Sequence, residues 1–168
     1  LTVDHFNKKL DRICLVTQHF DSEIMPRFSY NFNPKTGIGD ARLANNPSIE
    51  KVAPYSSFAE DYVLIDDQKY NTRILVTDTT FLQILDSPVF ADNKQVALLD
   101  PQGAVITRSF ARKLFGTDKD IVGKSIQHSI GKTLTITTVL DDPADKSSIQ
   151  FDLLVSWQLQ ERWGRIFH

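Results

Sequence analysis

Short apolar segments rich in branched residues recur along this chain at irregular intervals, separated by turn residues or short helices. Candidate strands run from Tyr62 to Ile65, from Arg73 to Val76, from Leu134 to Leu140 and from Ile149 to Trp157. Neither a regular alternation of strand and helix nor a repeat of fixed period organises them. This pattern favours an α+β fold with mixed sheets and short helices.

The clearest local unit is a strand followed at once by a helix. Ala104 to Ile106 forms the strand, and Thr107 is placed to cap an amphipathic helix from Arg108 to Phe115. Gly116 follows the helix, and glycine just past a helix end readily adopts the left-handed conformation that stops it. The sequence therefore predicts both ends of this helix.

Two shorter helices are predicted upstream. Residues from Asn46 to Val52 combine a capping asparagine with proline at the first helical position. Thr77 or Asp78 caps a second short helix, which carries apolar residues up to Leu85.

Two tight turns join neighbouring strands. The first lies around Asp66 to Gln68 and makes a hairpin. The second lies at Gly131 and Lys132, between a strand over Ser125 to Ile130 and the strand that follows.

The first third of the chain carries weaker signals. Asp4 to Phe20 predicts a short helix that leads into a strand, and Arg27 to Asn33 alternates aromatic with polar residues like a half-buried strand. Asn33 to Asn46, with two glycines and many short polar residues, predicts a surface loop.

Charge and cysteine content exclude some functions. The formal net charge is -2 and charged residues make up 24% of the chain, so no positive field gathers nucleic acid or anionic lipid. Cys14 is the single cysteine and lies in an apolar run, which indicates a small core residue and excludes an intrachain disulfide.

Motifs that carry chemistry are incomplete. Gly123, Lys124 and Ser125 match the end of a phosphate-binding Walker loop, but Asp118 occupies the position of the required first glycine. The four histidines are scattered, the acidic turn near Asp142 lacks the pattern of a calcium loop, and no Gly-x-Ser-x-Gly segment is present. We therefore predict no enzyme activity, no metal site and no cofactor in this chain.

Several motifs follow one another in a fixed order in the second half of the chain. Ala104 to Gly116 is a strand and helix ending in "FG", and Asp120 to Lys124 is an acidic turn ending in "GK". Leu134 to Pro143 and Ser148 to Ser156 are closing strands, with an aspartate–proline turn and an "FD" pair. In this order the motifs resemble the MacB-like periplasmic core domain of FtsX-type ABC transporter permeases. The likeness is dense from Ala104 to Trp157 and thinner before it.

The resemblance implies a role and a location. Residues 1–168 are expected to form a single extracytoplasmic domain on the periplasmic face of the bacterial inner membrane, excised from a permease whose spanning helices lie outside both ends. Two lobes are expected, with a boundary near residues 87–102. The implied partners are a cytoplasmic ABC ATPase acting through the membrane helices, a second permease copy and a periplasmic protein, with ATP bound only on the ATPase.

Two alternatives rest on other features. An extracytoplasmic sensor that binds a small ligand or a peptide would use exposed aromatic residues, for which Tyr55 and Phe58 beside the Asn33 to Asn46 loop are the candidates. A hydrolase is the third hypothesis, although no motif supports it.

Overall fold

The computed structural model describes residues 46–53, 55–84, 97–143, 147 and 149–159, together with residue 13 and two short strands. Two helices and eight strands lie within this part of the chain. In chain order they are β1 (Thr17–His19), β2 (Ser29–Asn31), β3 (Tyr55–Ile65), β4 (Gln68–Thr77), α1 (Thr79–Ile84), β5 (Gly103–Thr107), α2 (Arg108–Phe115), β6 (Ser125–His128), β7 (Thr133–Leu140) and β8 (Leu153–Ser156).

Six of these strands close into a barrel in the order β3-β4-β8-β5-β7-β6, while β1 and β2 form a separate antiparallel pair. Within the barrel, β4 pairs with β8 and β5 pairs with β7 in parallel. The other neighbours are antiparallel. The mixed sheet and short helices confirm the predicted α+β class.

Alternate residues of the barrel strands belong to two apolar clusters. The first takes residues from all six strands and from α2, including Val63, Ile74, Ile136 and Leu153, so it fills the barrel interior. The second packs the intervening strand residues against α1 and loop residues outside the barrel. Its members include Leu75, Val105, Leu154, Phe81 and Phe151.

The two predicted hairpin turns are confirmed. Asp66 and Asp67 connect β3 to β4 with φ values of 49° and 62°. Two consecutive residues with positive φ form the two-residue turn whose twist matches that of the strands in a hairpin. Gly131 lies in the turn between β6 and β7 with φ of 76°. The strands beside the first turn extend further than predicted, because cross-strand pairing continues through polar residues whose sequence shows no apolar pattern.

Helix α2 begins and ends as predicted. The Oγ1 atom of Thr107 accepts a hydrogen bond from the amide of Phe110 at 3.4 Å. Gly116 has φ of 72°, and its amide donates to the carbonyl of Arg112 at 2.8 Å. Asp78 caps the shorter helix α1, since its carboxylate accepts from the amide of Thr80 at 2.9 Å.

Ion pairs fasten α2 to the loops around it. Asp118 accepts from Arg108 Nε at 2.8 Å and from Arg112 Nη2 at 2.7 Å, and its side chain is only 9% exposed. Arg108 also reaches Asp141 at 3.1 Å. The hydrogen bond from Arg108, with further support from Arg112, holds the pKa of Asp118 below its ordinary value despite the opposing effect of desolvation.

One predicted helix is wrong, and one predicted strand is longer than the strand observed. The segment from Asn46 to Val52 makes a single turn instead of a helix, with the Asn46 side chain accepting from the amide of Ser48 at 2.9 Å. An asparagine that bonds its own backbone in this way competes with helix formation. The strand predicted from Ile149 to Trp157 is observed only over Leu153–Ser156. It is preceded by Asp152, whose side chain bonds Arg73, and it is followed by a helical turn that begins at Trp157.

Other expectations fall outside the described residues. They include the early helix from Asp4 and most of the loop to Asn46. Of the strand predicted over Arg27 to Asn33, β2 (Ser29–Asn31) is confirmed, and its side chains are outside the described part. Of the predicted boundary at 87–102, only residues 97–102 are described, and Ala97 and Leu98 pack into the second cluster. The division into two lobes stays a prediction. Within the described ranges, no helix has the length and hydropathy of a membrane span.

Replacing Gly116 by alanine is expected to destabilise the domain by about 1 kcal/mol, because a side chain is disfavoured at positive φ. A Cβ atom at this position would meet no atom within 4 Å, so the loss comes from the backbone conformation alone. Gly116→Asn is the matched comparison, since asparagine tolerates this conformation better. Urea unfolding of both variants tests the expectation, which an equal loss in the two would contradict.

Acid is expected to weaken the domain partly through Asp118. A carboxylate whose pKa is lowered by folding stabilises the fold above its ordinary value of 3.8, and this contribution disappears as the pH falls through the folded pKa. Asp118→Asn should therefore lower stability at pH 7 and lose less on acidification. Urea midpoints between pH 7 and pH 3 measure this effect. Lys119→Gln, an exposed neighbour, should behave like the parent chain, and an Asp118→Asn variant with the parent's acid dependence would refute the assignment.

Candidate functional site

A half-open groove crosses the β3-β4 hairpin beside the start of β8. Its volume is about 580 Å³, within the range of small-molecule and side-chain binding sites. Polar and charged residues line it: Asp61, Tyr62, Lys69, Asn71, Thr72, Arg73 and Asp152.

Strand geometry explains how β4 supplies most of the groove. Lys69, Asn71 and Arg73 alternate along the strand and are exposed, whereas Thr72 between them is buried. An irregularity in the β3-β4 register between Phe58 and Asp61 places Asp61 opposite Thr72. The groove is therefore lined both by the paired residues Asp61 and Thr72 and by exposed residues that alternate with them along the two strands.

A bidentate ion pair closes one end of the groove. Arg73 donates to Asp152 from Nε at 3.0 Å and from Nη2 at 2.7 Å. The backbones reinforce the pair, since the Arg73 amide bonds the Asp152 carboxylate at 2.8 Å and the Asp152 amide bonds the Arg73 carbonyl at 2.9 Å. The parallel pairing of Ile74 with Leu153 sets this register, so the ion pair is a consequence of the strand order.

The same ion pair controls the ionisation of Asp152. Burial by itself would raise the pKa of this carboxyl group, but the side-chain and backbone hydrogen bonds from Arg73 and the nearby charges of Arg73 and Lys113 outweigh it. The pKa of Asp152 is therefore lowered, and the group is a carboxylate at neutral pH.

One lysine lines the groove, and a second contacts a residue that lines it. Lys69 Nζ lies 4.0 Å from the centre of the Tyr62 ring, a cation–π distance, and the strand register makes the two residues near neighbours across the hairpin. Lys113 comes from α2, and its Nζ donates to the Asn71 carbonyl at 3.2 Å. The ion pairs that fasten α2 thus also position a cation beside the groove.

The other acidic residue of the groove faces a buried histidine. Asp61 accepts from the amide of Tyr62 at 2.7 Å, and its Oδ2 lies 3.5 Å from His128 Nε2. His128 is 1% exposed. Burial lowers the pKa of His128 more strongly than the charge of Asp61 raises it, which favours a neutral imidazole at neutral pH.

The residues of the incomplete sequence motifs make other contacts and do not line the groove. The described residues contain no group of three or more His, Cys, Asp or Glu residues placed to hold a metal ion. Lys124, from the partial Walker motif, points its Nζ over the Phe115 ring at 5.0 Å. Asp142, from the acidic turn, accepts from the amide and the hydroxyl of Ser109.

Of the binding residues predicted from sequence, both Tyr55 and Phe58 lie on β3, where they pair with Thr77 and Ile74. Their side chains are outside the described part of the structure, so their binding role stays a prediction. The Arg73–Asp152 pair was not predicted from the sequence. The "FD" pair of the family pattern contains Asp152, but no sequence signal identified Arg73 as its partner.

Comparisons with known proteins agree with the family resemblance. The sequence profile of the MacB-like periplasmic core domain matches residues 2–167. No curated protein matches the chain significantly.

Solved structures show the same fold. A domain assigned to a permease protein of Porphyromonas gingivalis has 27% identity and a TM-score of 0.64, over 73% of this chain and 57% of that one. The extracellular domain of the noncanonic ABC-type transporter YknZ from Gram-positive bacteria has 14% identity and a TM-score of 0.58, over 74% and 64%. The periplasmic region of MacB from Actinobacillus actinomycetemcomitans has 12% identity and a TM-score of 0.54, over 71% and 53%.

The aligned part of each solved chain is thus between about half and two thirds of its length. The likenesses at 14% and 12% identity concern the fold alone, whereas the family profile covers nearly every residue. The chain therefore belongs to the MacB-like periplasmic core domain family of ABC transporter permeases.

Proposed function

We propose that this domain transmits ATP-driven motion of the membrane helices of its parent permease to a substrate or partner in the periplasm. It does so without chemistry of its own. ATP acts on a separate cytoplasmic ATPase subunit or domain, and a second permease copy completes the transporter. Family membership supports this arrangement, since the matched family is a periplasmic domain.

Closure of the six-stranded barrel is the observation that carries the proposal. A domain that relays movement must keep its shape while its position changes, and a closed barrel with a packed interior resists internal shear. The second cluster fastens α1 to the outside of the same barrel, and the Arg108–Asp118–Arg112 network fastens α2. Force applied at one end of such a unit is therefore expected to move all of it.

A second candidate, a sensor that binds a small ligand or peptide, is favoured by the groove on the β3-β4 hairpin. The two roles are compatible, because a domain that relays motion to a partner also needs a surface that holds it. What separates them is whether the domain moves with the nucleotide state when no ligand is added.

Distances between spin labels in the parent permease, assembled with its ATPase in lipid nanodiscs, test the proposal. Cys14→Ser removes the thiol of this domain, and any other cysteine of the parent is replaced in the same way. Lys119→Cys then places one label on the exposed turn after α2 of each copy. We expect the distance between the two copies to change by about 5 Å or more between the nucleotide-free and vanadate-trapped states.

The matched control measures distances inside one barrel. Gln68→Cys and Lys119→Cys in a single labelled copy, diluted with unlabelled copies, should give the same distance in both nucleotide states. A changing distance inside the barrel would contradict rigid-body transmission. An unchanged distance between copies, in a transporter whose ATPase is active, would refute the proposed function and favour the sensor.

A further inference from the structure

The barrel is closed between β3 and β6 by its shortest strand ladder. Two residue pairs join these strands, Val63 with His128 and Leu64 with Gln127, and we call this ladder the β3-β6 seam. Every other ladder among the barrel strands has three residue pairs or more. Because the seam has the fewest paired residues, it is the place where the closed barrel opens most easily.

A buried histidine occupies one of the two pairs of the seam. His128 is 1% exposed and alternates with the exposed Gln127 and the buried Ile126, so its ring faces the barrel interior. Val63, its partner in β3, belongs to the cluster that fills this interior. The ring therefore becomes hydrated when the seam opens.

The hydrogen bonds of the ring determine where its proton lies. Nδ1 of His128 is 3.4 Å from the amide nitrogen of Ile130 and 3.0 Å from Oγ of Ser129. A backbone amide only donates, so Nδ1 is the acceptor and the neutral ring carries its proton on Nε2. Nε2 faces the Asp61 carboxylate at 3.5 Å.

The backbone next to the ring takes part in the closure. The Ser129 amide donates to the Tyr62 carbonyl of β3 at 3.1 Å, and the His128 amide donates to the Lys132 carbonyl at 2.7 Å. Opening of the seam breaks the first of these bonds and leaves the second, which lies within the β6-β7 hairpin. The Ser129 amide therefore reports on the seam.

Few charged or titratable groups surround the ring. Asp61 of β3 supplies the charge that acts on it among the described residues. Lys132, in the turn before β7, offers its carbonyl and is exposed. Tyr70 of β4 lies one strand further away, opposite Val63.

A second proton on the ring is unfavourable while the seam is closed. Nδ1 then becomes a donor that faces the Ile130 amide, and a charge is placed inside an apolar barrel. Asp61 attracts this charge, but burial has the larger effect and the pKa of His128 is lowered. In an open seam the hydrated ring meets neither penalty.

We propose that the β3-β6 seam is an acid-sensitive closure of the barrel, which protonation of His128 opens while the other ladders stay paired. A group whose pKa is lower in the closed state binds its proton preferentially in the open state. Closure is therefore fully stable above the ordinary value of 6.5 and weakens as the pH falls below it.

An open seam changes what the domain is able to do. The barrel becomes a sheet with β3 and β6 at its edges, and it loses the closure on which the proposed transmission of motion depends. Acid would thus reduce transmission. That consequence rests on the proposed function, whereas the opening of the seam does not.

Amide hydrogen exchange of the isotope-labelled 168-residue chain, followed by nuclear magnetic resonance, tests the proposal. The measured quantity is the protection factor, which compares each amide with an unstructured peptide at the same pH. Between pH 7.5 and pH 5.5 we expect the protection of the Ser129 amide to fall about threefold or more. The Thr107 amide, which donates to the Asp152 carbonyl at 3.0 Å where β5 meets the start of β8, should keep its protection. Asp118 and Asp152 have lowered pKa values and stay ionised over this range.

Three substitutions assign the effect to the ring. His128→Asn removes the titrating group and keeps a side-chain acceptor for the Ile130 amide, so the Ser129 amide should lose its pH dependence. Asp61→Asn removes the charge that favours the protonated ring, keeps the oxygen bonded by the Tyr62 amide and should deepen the loss at pH 5.5. It leaves the buried core intact and so provides a test if His128→Asn does not fold. His19→Gln removes an imidazole of β1, outside the barrel, and should change nothing at the seam.

Four outcomes would overturn the proposal: unchanged protection of the Ser129 amide, an equal loss at the Thr107 amide, a pH dependence that survives in His128→Asn, or a smaller loss in Asp61→Asn. The spin-label distances are measured in the parent permease at one pH, and hydrogen exchange is measured in the separate chain. Either proposal can therefore fail while the other holds.

Discussion

Strand β8 holds the domain together through backbone hydrogen bonds to two strands that are distant from it in sequence. Leu153–Ser156 pairs in parallel with β4 and antiparallel with β5, so it joins the β3-β4 hairpin to the rest of the barrel. Its alternate residues enter both apolar clusters. Without β8 the barrel would be open between β4 and β5, and both apolar clusters would lose the side chains that β8 contributes. The β4-β8 register also places Asp152 beside Arg73.

The groove is therefore built by the same contacts that close the barrel. Arg73 and Asp152 meet because β8 pairs with β4, and Lys113 reaches Asn71 because α2 is anchored by its caps and by Asp118. A change in the shape of the groove would therefore disturb the pairing of β4 with β8.

Local signals were read correctly where the backbone conformation depends on near neighbours. Thr107 and Gly116 set the ends of α2, and Asp66 with Asp67 made the hairpin turn, since capping and turn geometry involve residues only a few positions apart. The predicted structure was not formed at two positions. The Asn46 side chain accepts a hydrogen bond that closes an isolated turn in place of a helix, and Asp152 bonds Arg73 and is not part of β8. In both cases a side-chain hydrogen bond competed with the regular structure that the pattern indicated.

The sequence alone determined the α+β class, the capped helix α2 and the two hairpin turns. The ordered motifs from Ala104 to Ser156 also indicated the family. The tertiary structure decided the barrel order, the pairing of Arg73 with Asp152 and the groove between them. Arg73 and Asp152 are 79 positions apart, and no local pattern relates such residues. Their meeting depends on which strands pair and in what register, and that choice is made by burial of the whole core rather than by any single segment.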